Sequence, residues 1–171
     1  MDKKYIAFGL VCLNAIIQLA SCFWYSDLPG FVWTLADSIV ILVPLVFGLR
    51  MGLLNLLPVA VSEFVWFFKL GVPGPLLHLA AFTVAVLLMA AAHRRLAAMP
   101  GQKRAVLSGI LFIAGLAGEE LLYRGLRLLV LQKPVNWDAF YGAVFSPVVL
   151  IVLLLVVFVS HPDRRKENYE A

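Results

Sequence analysis

Glu119 and Glu120 stand side by side in an apolar stretch, with Arg124 four residues after Glu120 and Arg127 three further on. Three chemistries suit such a set. A carboxylate held near water works as a general base. Glu120 and Arg124, spaced i,i+4, close an ion pair along one helix face. Mixed acids and bases also grip a charged solute. An ionisable group inside a membrane span costs roughly 2.5–3.5 kcal/mol on insertion scales, so each one calls for a partner or a function. Asp37 and Glu63 pose the same question, because both lie inside apolar runs.

The elements that must position these groups are apolar helices. Of the 171 residues, 63% are hydrophobic and only 14% charged, and the mean hydropathy is +0.94. Soluble domains average about 45–50% apolar and about 25% charged. Long apolar stretches recur from end to end, which predicts an all-α polytopic membrane protein with one transmembrane domain over residues 1–171. The expected spans are about Tyr5–Phe23, Thr34–Leu49, Leu53–Phe68, Leu76–Ala92, Ala105–Leu122 and Asp138–Ser160. Pro44, Pro58 and Pro147 fall inside spans, where neighbouring helices satisfy the freed carbonyls. Gly48–Gly52 reads as a tight turn, Lys69–Pro75 as a Gly/Pro stop, and 161–171 as a short basic tail. Lys3 and Lys4 precede the first apolar run as in a signal peptide. No small-residue cleavage site separates it from the next span, so it is expected as a mature helix. Cys12 and Cys22 sit ten apart on one helix and cannot meet, so they signal neither disulfide nor metal.

Lys and Arg set the expected orientation. Lys3, Lys4, Arg50, Arg94, Arg95 and the loop and tail charges after them gather on one side, against Lys69, Arg124, Arg127 and Lys133 on the other. The positive-inside rule then puts both termini in the cytoplasm of a multi-pass cell-membrane protein. Trp24, Tyr25, Trp33, Trp66, Tyr123 and Trp137 fall at the outer helix ends. With that topology, five of six spans bring an ionisable side chain to the outer third, while the inner half is apolar apart from Asn55. Helix ends near an interface often carry charge without function. Five spans converging on one level is a stronger pattern, and it predicts a solute pocket. The expected lining is Gln18, Asp37, Glu63, His78, Glu119 and Glu120, with Arg124, Arg127, Trp33, Trp66 and Tyr141. Acids with aromatics suit a cationic ring, and the arginines suit a carboxylate or phosphate. No metal spacing, phosphate loop or ATPase motif is present, and the net charge of +4 reads as a topology device rather than a nucleic-acid signature. No cofactor is expected.

This pattern, from Asp37–Arg50 through Gly52–Phe68 and Gly71-Val72-Pro73-Gly74-Pro75 into the next helix, resembles the substrate-binding S components of energy-coupling factor (ECF) transporters. The resemblance covers nearly the whole chain and is one of pattern. It implies capture of a small vitamin-like solute outside the cell, with a transmembrane T subunit and cytoplasmic ATPases as partners and no catalysis by this chain. It also implies docking on the T subunit by small residues four apart on the first helix. Ala7, Val11 and Ala15 hold that spacing, Val11 departing from the small-residue pattern. Locally, Glu119-Glu120-Leu121-Leu122-Tyr123-Arg124 resembles the Glu-Glu-x-x-x-Arg signature of the CAAX-protease and bacteriocin-processing family, which implies Glu119 or Glu120 as general base. That family's later histidine motifs are missing, and the only later histidine, His161, falls on the opposite side of the expected topology. In size and topology the chain is also similar to MreD-type rod-shape proteins, which implies a membrane scaffold.

Overall fold

Apolar side chains without interruption by charge make helices here, and Gly and Pro end them. The computed structural model describes residues 3–24 and 28–160. Five long helices come first: α1 (Lys3–Trp24), α2 (Gly30–Phe47), α3 (Leu49–Leu70), α4 (Gly74–Leu96) and α5 (Gly101–Leu131). The sixth expected span is two helices, α6 (Trp137–Val144) and α7 (Pro147–Ser160), broken at Phe145 and Ser146. Ser146-Pro147 explains the break. The serine hydroxyl accepts from the Val149 N–H (3.4 Å), and proline is suited to the first turn, where its missing N–H is not needed. Six helical segments, counting Trp137–Ser160 as one, are long and apolar enough to cross a membrane. No strand occurs among the described residues. The tail 161–171, with His161, and Tyr25 and Asp27 lie outside the described residues.

The expected Gly48–Gly52 turn shrinks to one residue. Gly48 alone links α2 to α3 at φ 84° and ψ −175°, a conformation essentially reserved for glycine, and helix resumes at Leu49. Gly52 then lets the two helices touch, since a Cβ there would fall 2.6 Å from Pro44 Cβ.

The bundle is organised around α2. Its run Ile39–Leu45 is fully buried, and α2 packs against α1, α3, α4, α5 and α7. A helix apolar all round belongs in the middle of such an assembly. The other helices turn large apolar side chains outward: Phe8 and Phe23 on α1, Phe68 on α3, Leu88 on α4, Phe158 on α7. That greasy exterior, on six spanning helices, is the surface of a multi-pass membrane protein.

Helices alternate in direction, so each pole collects alternate ends. At one pole Lys3 of α1 and Arg104 of α5 meet the ends of α2, α4 and α7. There His93 Nδ1 donates to the Leu45 carbonyl (3.0 Å), and Arg104 Nε–H donates to the Ser160 carbonyl (3.0 Å). Both satisfy acceptors left over at helix C-termini. At the other pole α3 and α5 end and α2, α4 and α6 begin, and the candidate site is there.

Ala7, Val11 and Ala15 do not form an open docking face. Ala7 is buried, Val11 packs on the hydrophobic core, and Ala15 is half-buried. The physical reason is that small residues let α1 lie close against α2 and α3, so its bulky residues face outward instead.

Candidate functional site

A cavity of about 630 Å³ opens between the ends of α2, α3, α4 and α5 and is bordered at its mouth by the α5–α6 connection. Trp33 and Asp37 come from the first turns of α2, Glu63 and Trp66 from the last turns of α3, and His78 from the second turn of α4. Glu120, Arg124 and Arg127 line it from α5. Their spacing of four and three places all three on one helix face, which is why the long α5 can wall the cavity. Nine of the eleven expected residues are thus in or directly against one space, Glu119 standing just behind the lining.

His78 joins three helices. Its Nδ1–H donates to Glu63 Oε1 at 2.6 Å, and its Nε2 lies 3.6 Å from Glu119 Oε1. The imidazole is sandwiched by rings, with Phe82 at 4.5 Å and Tyr123 at 4.6 Å between centroids. Glu119 is only 2% exposed, and neither of its oxygens makes a hydrogen bond to the described residues. Glu120 pairs with Arg124, Oε2 to Nη2 at 2.7 Å, as the i,i+4 spacing predicts. The Arg124 Nε is buried and makes no hydrogen bond to the described residues. Arg127 lies over the Tyr123 ring, 5.5 Å from its centroid. Asp37 has His78, Glu120 and Glu63 as its charged neighbours.

Two expected residues stand elsewhere. Gln18 is buried on α1 behind the lining, where its Oε1 lies 2.7 Å from the Ser62 hydroxyl; Ser62, not Gln18, reaches the cavity. Tyr141 is exposed on the outside of α6, beside Phe140 and Phe145. It stays outside because α6 turns the face carrying Phe140 and Val144, four apart, into the bundle, and Tyr141 falls to the flank of that face.

Tyr123, Ser62, Lys133 and Asn136 line the cavity without having been expected there. Tyr123 had a readable signal: it is three after Glu120 and four before Arg127, hence on their face. Asn136 caps α6, its Oδ1 accepting from the Ala139 N–H at 3.1 Å, and this fixes the connection over the cavity.

A second space, about 540 Å³, lies between α2 and α6 and shares Trp33, Asp37, Glu120 and Ala139 with the first. Asp37 and Glu120 therefore stand where the two spaces meet. Deeper in the bundle a separate polar knot ties α1, α2 and α3: Asn14 Nδ2 donates to Asn55 Oδ1 (3.0 Å), and Asn55 Nδ2 donates to the Ile39 carbonyl (3.2 Å). Among the described residues no group of three or more His, Cys, Asp or Glu is placed to hold a metal ion.

Chemically, the cavity offers carboxylates, an imidazole and guanidiniums beside aromatic rings in a low-dielectric wall. Such a set can hold charged, ring-bearing solutes, and His78 and Glu119 lie close together without a hydrogen bond between them. Comparison of the chain with known protein families, with curated proteins and with solved structures finds no match.

Proposed function

We propose that this protein is the solute-capture subunit of a membrane transporter, of the kind the S components of ECF transporters represent. The observation that carries the reading is the polar cavity of about 630 Å³ at one pole of a largely apolar bundle. Its volume suits a vitamin-sized molecule, and its wall combines charge with Trp33, Trp66 and Tyr123. The excess of Lys and Arg at the opposite pole supports a cytoplasmic position for that pole, and so a cavity facing outward from the cell membrane. With no nucleotide motif of its own, the chain would draw energy from a transmembrane T subunit and cytoplasmic ATPases.

The test is purification from native membranes followed by native mass spectrometry. The expected result is one small solute bound per chain, lost on Glu63→Gln, with ATPase and T-subunit polypeptides in the same preparation. A chain that carries no solute and travels without ATPases would sink the proposal. Stable association with morphogenesis proteins instead would favour a scaffold.

One observation favours a second reading, an intramembrane hydrolase: His78 approaches Glu119 of the Glu-Glu-x-x-x-Arg stretch. A carboxylate and an imidazole side by side can orient one water that lies within reach of both. This reading differs in its outcome, since it requires cleavage of a membrane peptide that is abolished by both Glu119→Gln and His78→Gln.

A further inference from the structure

The charges of the cavity are sorted by depth. On its floor four carboxylates, Asp37, Glu63, Glu119 and Glu120, face two basic partners, His78 and Arg124. His78 accepts at most one proton and is shared by Glu63 and Glu119, while Arg124 answers Glu120. The floor therefore holds two more acidic groups than basic ones. Toward the mouth the sign reverses. Arg127 and Lys133 line the cavity and have no ion-pair partner among the described residues. Arg127 is instead braced on Tyr123, and Lys133 is exposed just past the end of α5. Arg124, 9% exposed, lines the wall between the two levels, and its Nη2 is held by Glu120.

The separation of the two levels follows from α5. Glu120 and Arg127 are seven residues apart on a continuous helix, which at 1.5 Å per residue is about 10 Å. Between them stand aromatic rings, Trp66 and Tyr123, at half-depth. A purely cationic ligand would leave Arg127 and Lys133 unanswered. A purely anionic ligand would be repelled by the floor.

We infer that the solute is two-ended: a cationic or amine-bearing group seated near Asp37 and Glu63, an unsaturated ring between the aromatic side chains, and a carboxylate or phosphate about 10 Å away against Arg124, Arg127 and Lys133. This rests on the solute-capture reading and names the class of molecule it captures. Both ends contribute to holding the ligand, and the axis of the cavity fixes which end enters first.

Ligand-observed NMR titration of the purified full chain in detergent micelles separates the possibilities. The probes are tyramine, phenyl phosphate and tyramine O-phosphate, each at millimolar concentration. The first carries only the cation, the second only the anion, and the third both across one ring. The expected result is that tyramine O-phosphate binds at least about ten-fold more tightly than either one-ended probe. In Arg127→Gln that advantage falls below about two-fold, and in Arg127→Lys most of it returns, which separates lost charge from lost fold. Asp37→Asn weakens tyramine more than phenyl phosphate. An unchanged advantage in Arg127→Gln, or equal affinities for tyramine and tyramine O-phosphate in the unaltered protein, overturns the two-ended ligand while leaving solute capture standing. Binding of none of the three probes counts against solute capture itself and takes this inference with it.

Discussion

His78 is the residue on which the site's ionic order depends, because two glutamates from different helices share it. Removing it leaves two poorly exposed carboxylates without a partner, and an orphaned buried polar group is more costly than a made bond is valuable. His78→Ala is expected to destabilise the protein by on the order of 2 kcal/mol, seen as an earlier thermal unfolding in detergent. Replacing Glu119 as well, in His78→Ala with Glu119→Gln, is expected to recover part of the loss. An unchanged melting curve for the single variant would show that Glu63 and Glu119 need no such partner. Asn55 makes a parallel case outside the cavity. Asn55→Ala removes the bonds from Asn14 Nδ2 to Asn55 Oδ1 and from Asn55 Nδ2 to the Ile39 carbonyl, leaving Asn14 Nδ2 only the Asn55 backbone carbonyl (3.1 Å), and about 1 kcal/mol of stability goes with them. The same two clusters mark what was legible residue by residue. Depth could be read, since Glu63, His78 and Glu120 do share a level. Rotation could be read on α5, where Glu120, Tyr123, Arg124 and Arg127 share a face, but not on α6, where apolar residues on all sides leave no polar stripe to show which face turns inward. Gln18 therefore falls to Ser62, and Tyr141 to the outer surface, with nothing in their spacing to announce it.

Among the elements, the six spans are plain in sequence, since Gly and Pro bracket runs of uniform hydropathy. The central role of α2 is not plain. Helix α2 is more apolar than α1, α3, α4 and α5 and carries no Lys or Arg, but α7 is more apolar still, so packing decides which of them is central. The α2–α3 hairpin has the narrowest tolerance in the bundle. A Cβ at Gly52 meets Pro44 at 2.6 Å and Val86 Cγ1 at 3.2 Å, so a side chain there wedges α3 away from α2. Gly52→Val is expected to cost about 1–3 kcal/mol by overpacking, measured by thermal unfolding in detergent. Gly118→Ala on α5, where a Cβ meets nothing within 4 Å, serves as its control and is expected to leave the transition in place. Equal melting for both variants would refute the close approach. The break between α6 and α7 was readable after all: Ser146-Pro147 spells a helix start inside what otherwise passes for one long span.

At the scale of the whole molecule, polarity is confined to the two poles and the mid-bundle asparagine knot. The basic pole holds Lys3, Arg94, Arg95, Lys103 and Arg104, whereas the cavity pole mixes acids and bases. If charge sets orientation, single cysteines at the two poles label from opposite sides of the membrane. In a variant lacking Cys12 and Cys22, Lys133→Cys is expected to react with a membrane-impermeant maleimide in intact cells, and Lys103→Cys only after lysis. The reverse pattern would turn the cavity toward the cytoplasm and remove the support for capture from outside. The asymmetry of charge and the presence of a pocket were legible in the sequence, but the cavity's volume was not, because it depends on how far α3 and α5 stand apart.

The clasp between Glu63 and His78 also bears on how the chain is made. Glu63 leaves the ribosome first, and its carboxylate enters the bilayer on α3 before its imidazole partner on α4 has been synthesised. Only Gly71, Val72 and Pro73 separate the two helices. A lone acidic group at the centre of a span resists translocon insertion by roughly 2.5–3.5 kcal/mol, less toward its end, so α3 gains from waiting for α4 and entering as a hairpin. Birth of this protein in the membrane is thus pairwise at that step, with the charge of the mature cavity serving earlier as the tether that keeps two nascent helices together.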